Sequence, residues 1–293
     1  MTLIQDYAAG LFSILGTFSK GVAGSCSINF GLSGGRNCWT GCRHHPQHPN
    51  SAENPADICY AYGVEGRADR AQLANKLGRH EKLPASTIVG RALVELEREE
   101  LHGKAPRPWY RFSTNGALPD KKRAKSDRRF LPLLRQLIEH ANKRSGRGRV
   151  HFPVESAEKA KFYRSAVGDL VTVRESLQTA DMSPDTIAQH DIPAGPVSFT
   201  AGERVPAGPN KRLRVLAAAR AAAAAWAQRT GRKTIVCPAV TVSFLSRLKA
   251  YRRGRSADQV KSWRNGAKCG SCRACALECF DIVYPAHGVA ASK

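Results

Sequence analysis

A chain of 293 residues with 42% hydrophobic residues can bury a substantial core, as one large domain or two smaller ones, which excludes a disordered tail. Its charge is lopsided: 46 Lys and Arg stand against 24 Asp and Glu, for a formal net charge of +22 and a pI near 10.1. No apolar stretch is long enough to cross a bilayer, so no membrane partner is expected.

The first apolar run, residues 11–18 (LFSILGTF), has the look of a signal-peptide core, with Ala23-Gly24-Ser25-Cys26 as a poor lipobox. Asp6 stands where such a leader carries Lys or Arg, and a cytoplasmic location is expected. Beyond residue 20, short β-type runs alternate with longer helical ones. Ser25–Phe30 reads as the first strand, with Cys26 packed on it. Ser86–Leu101 sets Val89, Leu93, Leu96 and Leu101 near one helical face, with Ser86 or Thr87 as cap. Trp109–Ser113 is the next strand, and Phe130–Asn142 repeats Leu133, Leu134, Leu137 and Ile138 at helical spacing. Then come a strand at Val150–Val154, a helix at Ser156–Val167, a strand at Leu170–Val173 and a short helix at Ser183–Gln189 that opens on Pro184. Val197–Thr200 is a strand, Lys211–Arg229 an alanine-rich helix, Thr234–Cys237 a sixth strand and Val242–Arg252 a basic helix.

Six strands alternating with helices predict an α/β fold of parallel strands joined by right-handed crossovers. Periodicity alone leaves an open doubly wound sheet and a partial (β/α) barrel equally available, and both place chemistry at the carboxyl ends of the strands. Those ends carry Cys38 and Cys42, Ser113-Thr114-Asn115-Gly116, Glu155-Ser156, Arg174-Glu175, Thr200 and Glu203, and Cys237-Pro238.

The positive charge is clustered. Residues 101–150 hold fourteen basic and three acidic side chains, and residues 204–264 hold fifteen and one. Such a surface attracts a polyanion, because each neutralised phosphate releases condensed counterions, so DNA or RNA is an expected partner. The run Arg247–Arg255 sets Tyr251 among Arg247, Lys249, Arg252, Arg253 and Arg255, a mix of phosphate contacts and a stacking ring suited to single strands. A second run, Lys121–Arg129 (KKRAKSDRR), has the charge without the aromatic.

Four of the nine cysteines fall in eleven residues, CGSCRACALEC, spaced C-x2-C-x2-C-x3-C at Cys269, Cys272, Cys275 and Cys279. This is ferredoxin spacing for a [4Fe–4S] cluster, and Gly270, Ser271 and Ala274 let the backbone approach inorganic sulfide. Zinc is the alternative metal. The fourth cysteine of the ferredoxin run precedes Pro, whereas Phe280 follows Cys279 and the Cys-Pro pair stands at Cys237-Pro238, so either Cys237 or Cys279 completes the set. A second group is Cys38-x3-Cys42 with Cys59. Three thiolates would bind three irons of a cubane and leave one iron open, while His44, His45 and His48 in the intervening segment offer zinc ligands instead.

With cysteines after the first strand, the first two spaced C-x3-C and the last beside a Tyr, the chain resembles the radical S-adenosylmethionine superfamily. More narrowly, CWTGC, ICYA, STNG, IVCPA and the terminal CGSCRAC with VYPAHG resemble the phage-encoded "gene product eighty-eight" group of radical-SAM-like proteins, in short motifs scattered over residues 26–288. The resemblance implies a partial (β/α)6-type barrel over residues 1–255 and a C-terminal cysteine-rich iron–sulfur segment, residues 256–293, packed on that core. It implies a [4Fe–4S] cluster at Cys38, Cys42 and Cys59 whose open iron binds the amino and carboxyl groups of S-adenosylmethionine, an electron donor, and an auxiliary cluster at the C-terminal cysteines. Ser113, Thr114, Asn115 and Gly116 stand where that superfamily contacts the methionine amino group. Glu155, Arg174 and Tyr60 are further candidates for holding the cofactor, with Glu175 beside them and Tyr62 as cover. The chain departs from the usual pattern in the sixteen residues between Cys42 and Cys59 and in lacking Gly-Gly-Glu after the second strand. These departures fit a different class, a non-catalytic nucleic-acid-binding protein stapled by iron–sulfur or zinc sites.

Overall fold

The computed structural model describes residues 25–28, 84–103, 109–112, 118–144, 150–177, 182–202, 205–206, 208, 210–238, 241 and 279–286. Within these, seven strands form one sheet in which every pairing is parallel. In chain order the elements are β1 (Ser25–Ile28), α1 (Ala85–Leu101), β2 (Trp109–Phe112), α2 (Lys121–Ser126), α3 (Phe130–Arg144), β3 (Val150–Val154), α4 (Ala157–Val167), β4 (Val171–Ser176), α5 (Pro184–Gln189), β5 (Val197–Ala201), α6 (Lys211–Thr230), β6 (Thr234–Val236) and β7 (Asp281–Pro285). The spatial order is β1-β2-β3-β4-β5-β7-β6. The six expected strands are all present. β7, the strand that follows the cysteine-rich run, is an addition, and it takes an interior slot between β5 and β6.

Local signals account for the helix boundaries. Ser156 and Ser183 cap α4 and α5, their hydroxyls accepting from the N–H groups of Lys159 and Thr186, and Pro184 stands where its missing N–H costs nothing. Pro132 lies in the first turn of α3 for the same reason. α6 ends at Gly231, whose φ of 69° is a left-handed conformation that a side chain would strain. α1 has no side-chain cap of its own. Asp127, in the turn between α2 and α3, supplies one instead by accepting the Ser86 N–H at 2.7 Å.

The apolar periodicity lays the helices on one face of the sheet. α3 buries Phe130, Leu134, Leu137, Ile138 and Ala141, and with α1 and α4 it covers Val150, Phe152, Val154, Val171 and Val173. α6 buries Val215, Leu216, Ala219, Ala222, Ala223 and Trp226, and its small residues let it lie close to Val197, Phe199, Ala201 and Val283. Strand register joins these two clusters. Val154 pairs with Glu175 and Glu175 with Val197, so the covered residues of β3, β4 and β5 share a face. Phe152 against Tyr163 and Phe199 against Trp226 mark the contacts, with ring centroids 5.1 Å and 5.3 Å apart. A doubly wound sheet would carry helices on both faces; the described helices that pack on the strands do so on one.

The sheet is staggered. Glu175 and Ser176, at the end of β4, pair with Val197 and Ser198, at the start of β5. The carboxyl end of β4 therefore lies beside the amino ends of β5 and β7.

Candidate functional site at the carboxyl edge and polar face of the sheet

β1 and β2 run in register from Ser25↔Trp109 to Ile28↔Phe112, so the chain leaves the sheet from both strands at one level. The segment with Cys38, Cys42, Cys59 and Tyr60 follows the first exit, and Ser113–Gly116 follows the second. These residues lie outside the described ones, as do Tyr62, His44, His45, His48, Glu203, Cys269, Cys272, Cys275 and the run with Arg247, Lys249, Tyr251, Arg252, Arg253 and Arg255.

The return from the β2 exit is described, and it is clamped. One residue, Ala117, separates Gly116 from Leu118, whose carbonyl accepts from Lys159 Nζ at 2.6 Å. The next carbonyl, Pro119, accepts from the Tyr163 hydroxyl at 2.8 Å. Lys159 also donates to Glu155, the candidate at the end of β3, and the two side chains are only 10% and 16% exposed. Burial first, then the Glu155 and Asp120 carboxylates, push the Tyr163 hydroxyl well above its ordinary pKa, so it stays a donor. Glu155 thus holds Lys159, and Lys159 with Tyr163 holds the backbone next to Ser113–Gly116.

Arg174 is fully buried. Its Nη1 donates to the carbonyls of Val197 at 2.8 Å and Phe280 at 2.7 Å, which the stagger brings to the end of β4. Its neighbour Glu175 points the other way, under the helices, where burial raises its pKa against the pull of Arg164 and His190. In the α2–α3 turn burial opposes the charge of Asp127, but hydrogen bonds from Ser86 and the Arg129 N–H, with the positive charge of Arg129, outweigh it, and the pKa is lowered.

Cys237 is buried and Cys279 is exposed. Cys237 follows the end of β6, and its N–H donates to the Val283 carbonyl at 2.8 Å. Val236 pairs with Val283, which sets Cys237 level with Tyr284. Cys279 precedes Tyr284 by five residues, about 16 Å along the strand direction at the usual rise. The two thiols stand at opposite ends of neighbouring parallel strands, too far apart to share one cluster.

Just after Cys279, the chain is fixed by Asp281, which is 1% exposed. Its Oδ1 accepts from the Val197 N–H at 2.8 Å and its Oδ2 from Trp226 Nε1 at 2.7 Å, with Arg232 Nε 3.0 Å from Oδ2. Lys233 Nζ lies 4.9 Å from the centre of the Phe280 ring. The exit of the cysteine-rich run is therefore tied to β5, to α6 and to the approach to β6.

The face of the sheet turned away from the helices is polar across β3, β4 and β5, while β7 and β6 add the apolar Ile282 and Ile235 to it. His151, Thr172, Arg174 and Ser198 are buried there, with Ser176, Thr200 and Tyr284 half-buried. Register sets His151 beside Thr172, Ser176 beside Ser198 and Thr200 beside Tyr284, on adjacent strands about 4.8 Å apart. A sheet whose second face buries hydroxyls, an imidazole and a guanidinium is built to meet polar groups rather than a lipid-like core. The sequence reading singled out Arg174 and Thr200 but passed over His151, Thr172, Ser198 and Tyr284. The signal was the alternation in VHFPV, VTVRES and VSFTA, where every second residue leaves the apolar pattern.

Among the described residues, no group of three or more His, Cys, Asp or Glu side chains is placed to hold a metal ion, and no helix is long and apolar enough to cross a membrane. Comparison with protein-family models, with curated proteins and with solved structures returns no match.

Proposed function

We propose that this chain is an iron–sulfur enzyme of the radical S-adenosylmethionine type, acting on a substrate that is or adjoins nucleic acid. The observation that carries the reading is the parallel, in-register pairing of β1 and β2, whose carboxyl ends lie at one level, the first preceding the Cys38–Cys42–Cys59 segment in sequence and the second preceding Ser113–Gly116. A partial (β/α) barrel is the matching architecture. It is supported by the uninterrupted β1-to-β5 order, by the stagger between β4 and β5, and by helices on one face opposite a buried polar one.

In this reading Cys38, Cys42 and Cys59 hold a [4Fe–4S] cluster whose fourth iron is left for the cofactor. S-adenosylmethionine bound there would supply a 5′-deoxyadenosyl radical, with methionine as the other product, on taking one electron from an external donor. Ser113–Gly116 orients the methionine end, held at its return by Lys159 and Tyr163, and Tyr60 lies beside the cluster thiol. Glu155 acts through Lys159, and Arg174 by closing the amino ends of β5 and β7. Cys269, Cys272, Cys275 and Cys279 hold the auxiliary cluster or, alternatively, zinc.

The test is anaerobic. The full chain is purified, its iron and sulfide are counted, it is reduced, and S-adenosylmethionine is added. About eight irons for two cubanes and formation of 5′-deoxyadenosine are expected. Intact clusters without cleavage would leave the non-catalytic nucleic-acid-binding protein with structural metal sites; zinc in place of iron at both sites would overturn the cluster assignment as well.

A further inference from the structure

We infer that the basic corner formed by α2 and its turn into α3 is a docking surface for a nucleic-acid backbone. Lys121, Lys122 and Arg123 fill the first turn of α2, Lys125 lies one turn on from Lys121, and Arg128 and Arg129 follow in the turn; all six are exposed. The start of a helix favours acidic side chains, yet this first turn has none.

The two acids of the corner are turned toward the backbone. Asp120 accepts the Arg123 N–H at 2.7 Å, and Asp127 accepts from Ser86 N at 2.7 Å and from Arg129 N at 3.3 Å. They cap and pin the corner, so its geometry is fixed while its outer surface presents cations. That combination suits an evenly spaced row of phosphates.

The corner has little to offer other anionic partners. Ala124 and Phe130 are buried, and among the described residues the exposed large apolar ones, Leu101 and Ile192, lie elsewhere. A membrane surface takes an inserted apolar face, and a protein partner takes buried aromatic or aliphatic anchors. Phosphodiester needs only fixed positive charge. The chain enters α2 directly from Leu118 and Pro119, which are clamped at the carboxyl end of β3. A strand bound at the corner therefore lies next to the clamped return of the chain that follows Ser113–Gly116 in sequence. A delivery role there rests on the proposed function; the binding itself does not.

The experiment measures binding of the full chain to fluorescent single-stranded DNA, the matching RNA and duplex DNA between 50 and 200 mM salt. One variant carries Lys121→Ala, Lys122→Ala and Lys125→Ala. A second loses the same charge from other exposed positions, Lys143→Ala, Lys161→Ala and Arg220→Ala. Three lost phosphate contacts lower the slope of log affinity against log salt by about 2 on a single strand and about 2.7 on duplex, roughly 100-fold or more in affinity at 0.1 M salt. The control triple should stay within a few-fold of the wild type, and Lys→Arg at the three corner positions should keep binding. Equal losses in both alanine triples would reduce the effect to net charge and overturn the site. Absence of nucleic-acid binding, or tighter binding to polyglutamate or to anionic vesicles, would overturn it too. Cofactor cleavage with failed binding would refute this inference alone, and binding without cleavage would refute the enzyme reading alone.

Discussion

Removing the Asp281 carboxylate should be among the most costly single changes in the described core. Three donors converge on it, two of them, Val197 N–H and Trp226 Nε1–H, through buried hydrogen bonds. Asp281→Ala strands both, at about 1–3 kcal/mol each. Arg232 meets Oδ2 through a buried Nε, although 28% of its side chain is exposed elsewhere, and its share is about 1 kcal/mol. The expected total is about 4 kcal/mol, a large part of the 5–15 kcal/mol typical of whole domains. Asp281→Asn keeps an oxygen for Val197 but turns an amide N–H₂ toward the indole N–H, and should cost about 2–3 kcal/mol. Urea unfolding followed by circular dichroism reads this directly: at a slope near 2 kcal/mol/M, the alanine variant's midpoint falls by about 2 M with the slope unchanged. A midpoint for Asp281→Asn indistinguishable from wild type would refute the claim that this carboxylate ties β5, β7 and α6 together.

Three further outcomes follow from the same structure. Lys159→Met strands Glu155 and the Leu118 carbonyl and should cost about 2–4 kcal/mol, part of which Lys159→Met with Glu155→Gln recovers; simple additivity in the double variant would show that the pair is not coupled. Glu175 titrates with the opposite sign to a salt-bridged acid. Its native pKa is raised, chiefly by burial, so between the unfolded value and the native one the folded state holds more protons, and stability falls as pH rises through that window. Glu175→Gln should therefore be more stable than wild type at pH 7, with the advantage vanishing below about pH 4.3; an advantage that persists at pH 3.5 would contradict this. Finally, Cys279→Ala should lower the iron bound by the C-terminal site while Cys237→Ala leaves it unchanged, since the two thiols stand at opposite ends of neighbouring strands. Equal loss in both variants would refute that separation.

The strands were legible because β-branched and aromatic runs are bounded by Gly, Pro or charge, and the helices because their apolar residues recur at helical spacing. β7 was not. Its five residues, DIVYP, sit in sequence shortly after the last cysteine and just before Ala-His-Gly, and they look like the tail of the metal motif. Its slot between β5 and β6 is a matter of long-range pairing that no local pattern encodes. α2 was read only as a basic run because six residues are too few for an apolar stripe. Arg174 was expected just beyond a strand ending at Val173, whereas β4 runs on to Ser176 and buries it; the stagger that puts the amino ends of β5 and β7 beside it cannot be seen in sequence, and that stagger gives its guanidinium two carbonyls. The cysteine spacing proposes its chemistry by pattern alone, since Cys38, Cys42, Cys59, Cys269, Cys272 and Cys275 lie outside the described residues.

The central claim is that Cys38, Cys42 and Cys59 hold a cluster with one iron open to S-adenosylmethionine. The most direct measurement is the electron paramagnetic resonance spectrum of the reduced Cys269→Ala/Cys272→Ala/Cys275→Ala chain, which leaves the N-terminal cysteines as the cluster site, recorded before and after adding S-adenosylmethionine. A cubane signal that shifts on addition is the predicted result. A signal that does not move, or no iron in this variant, would contradict the account.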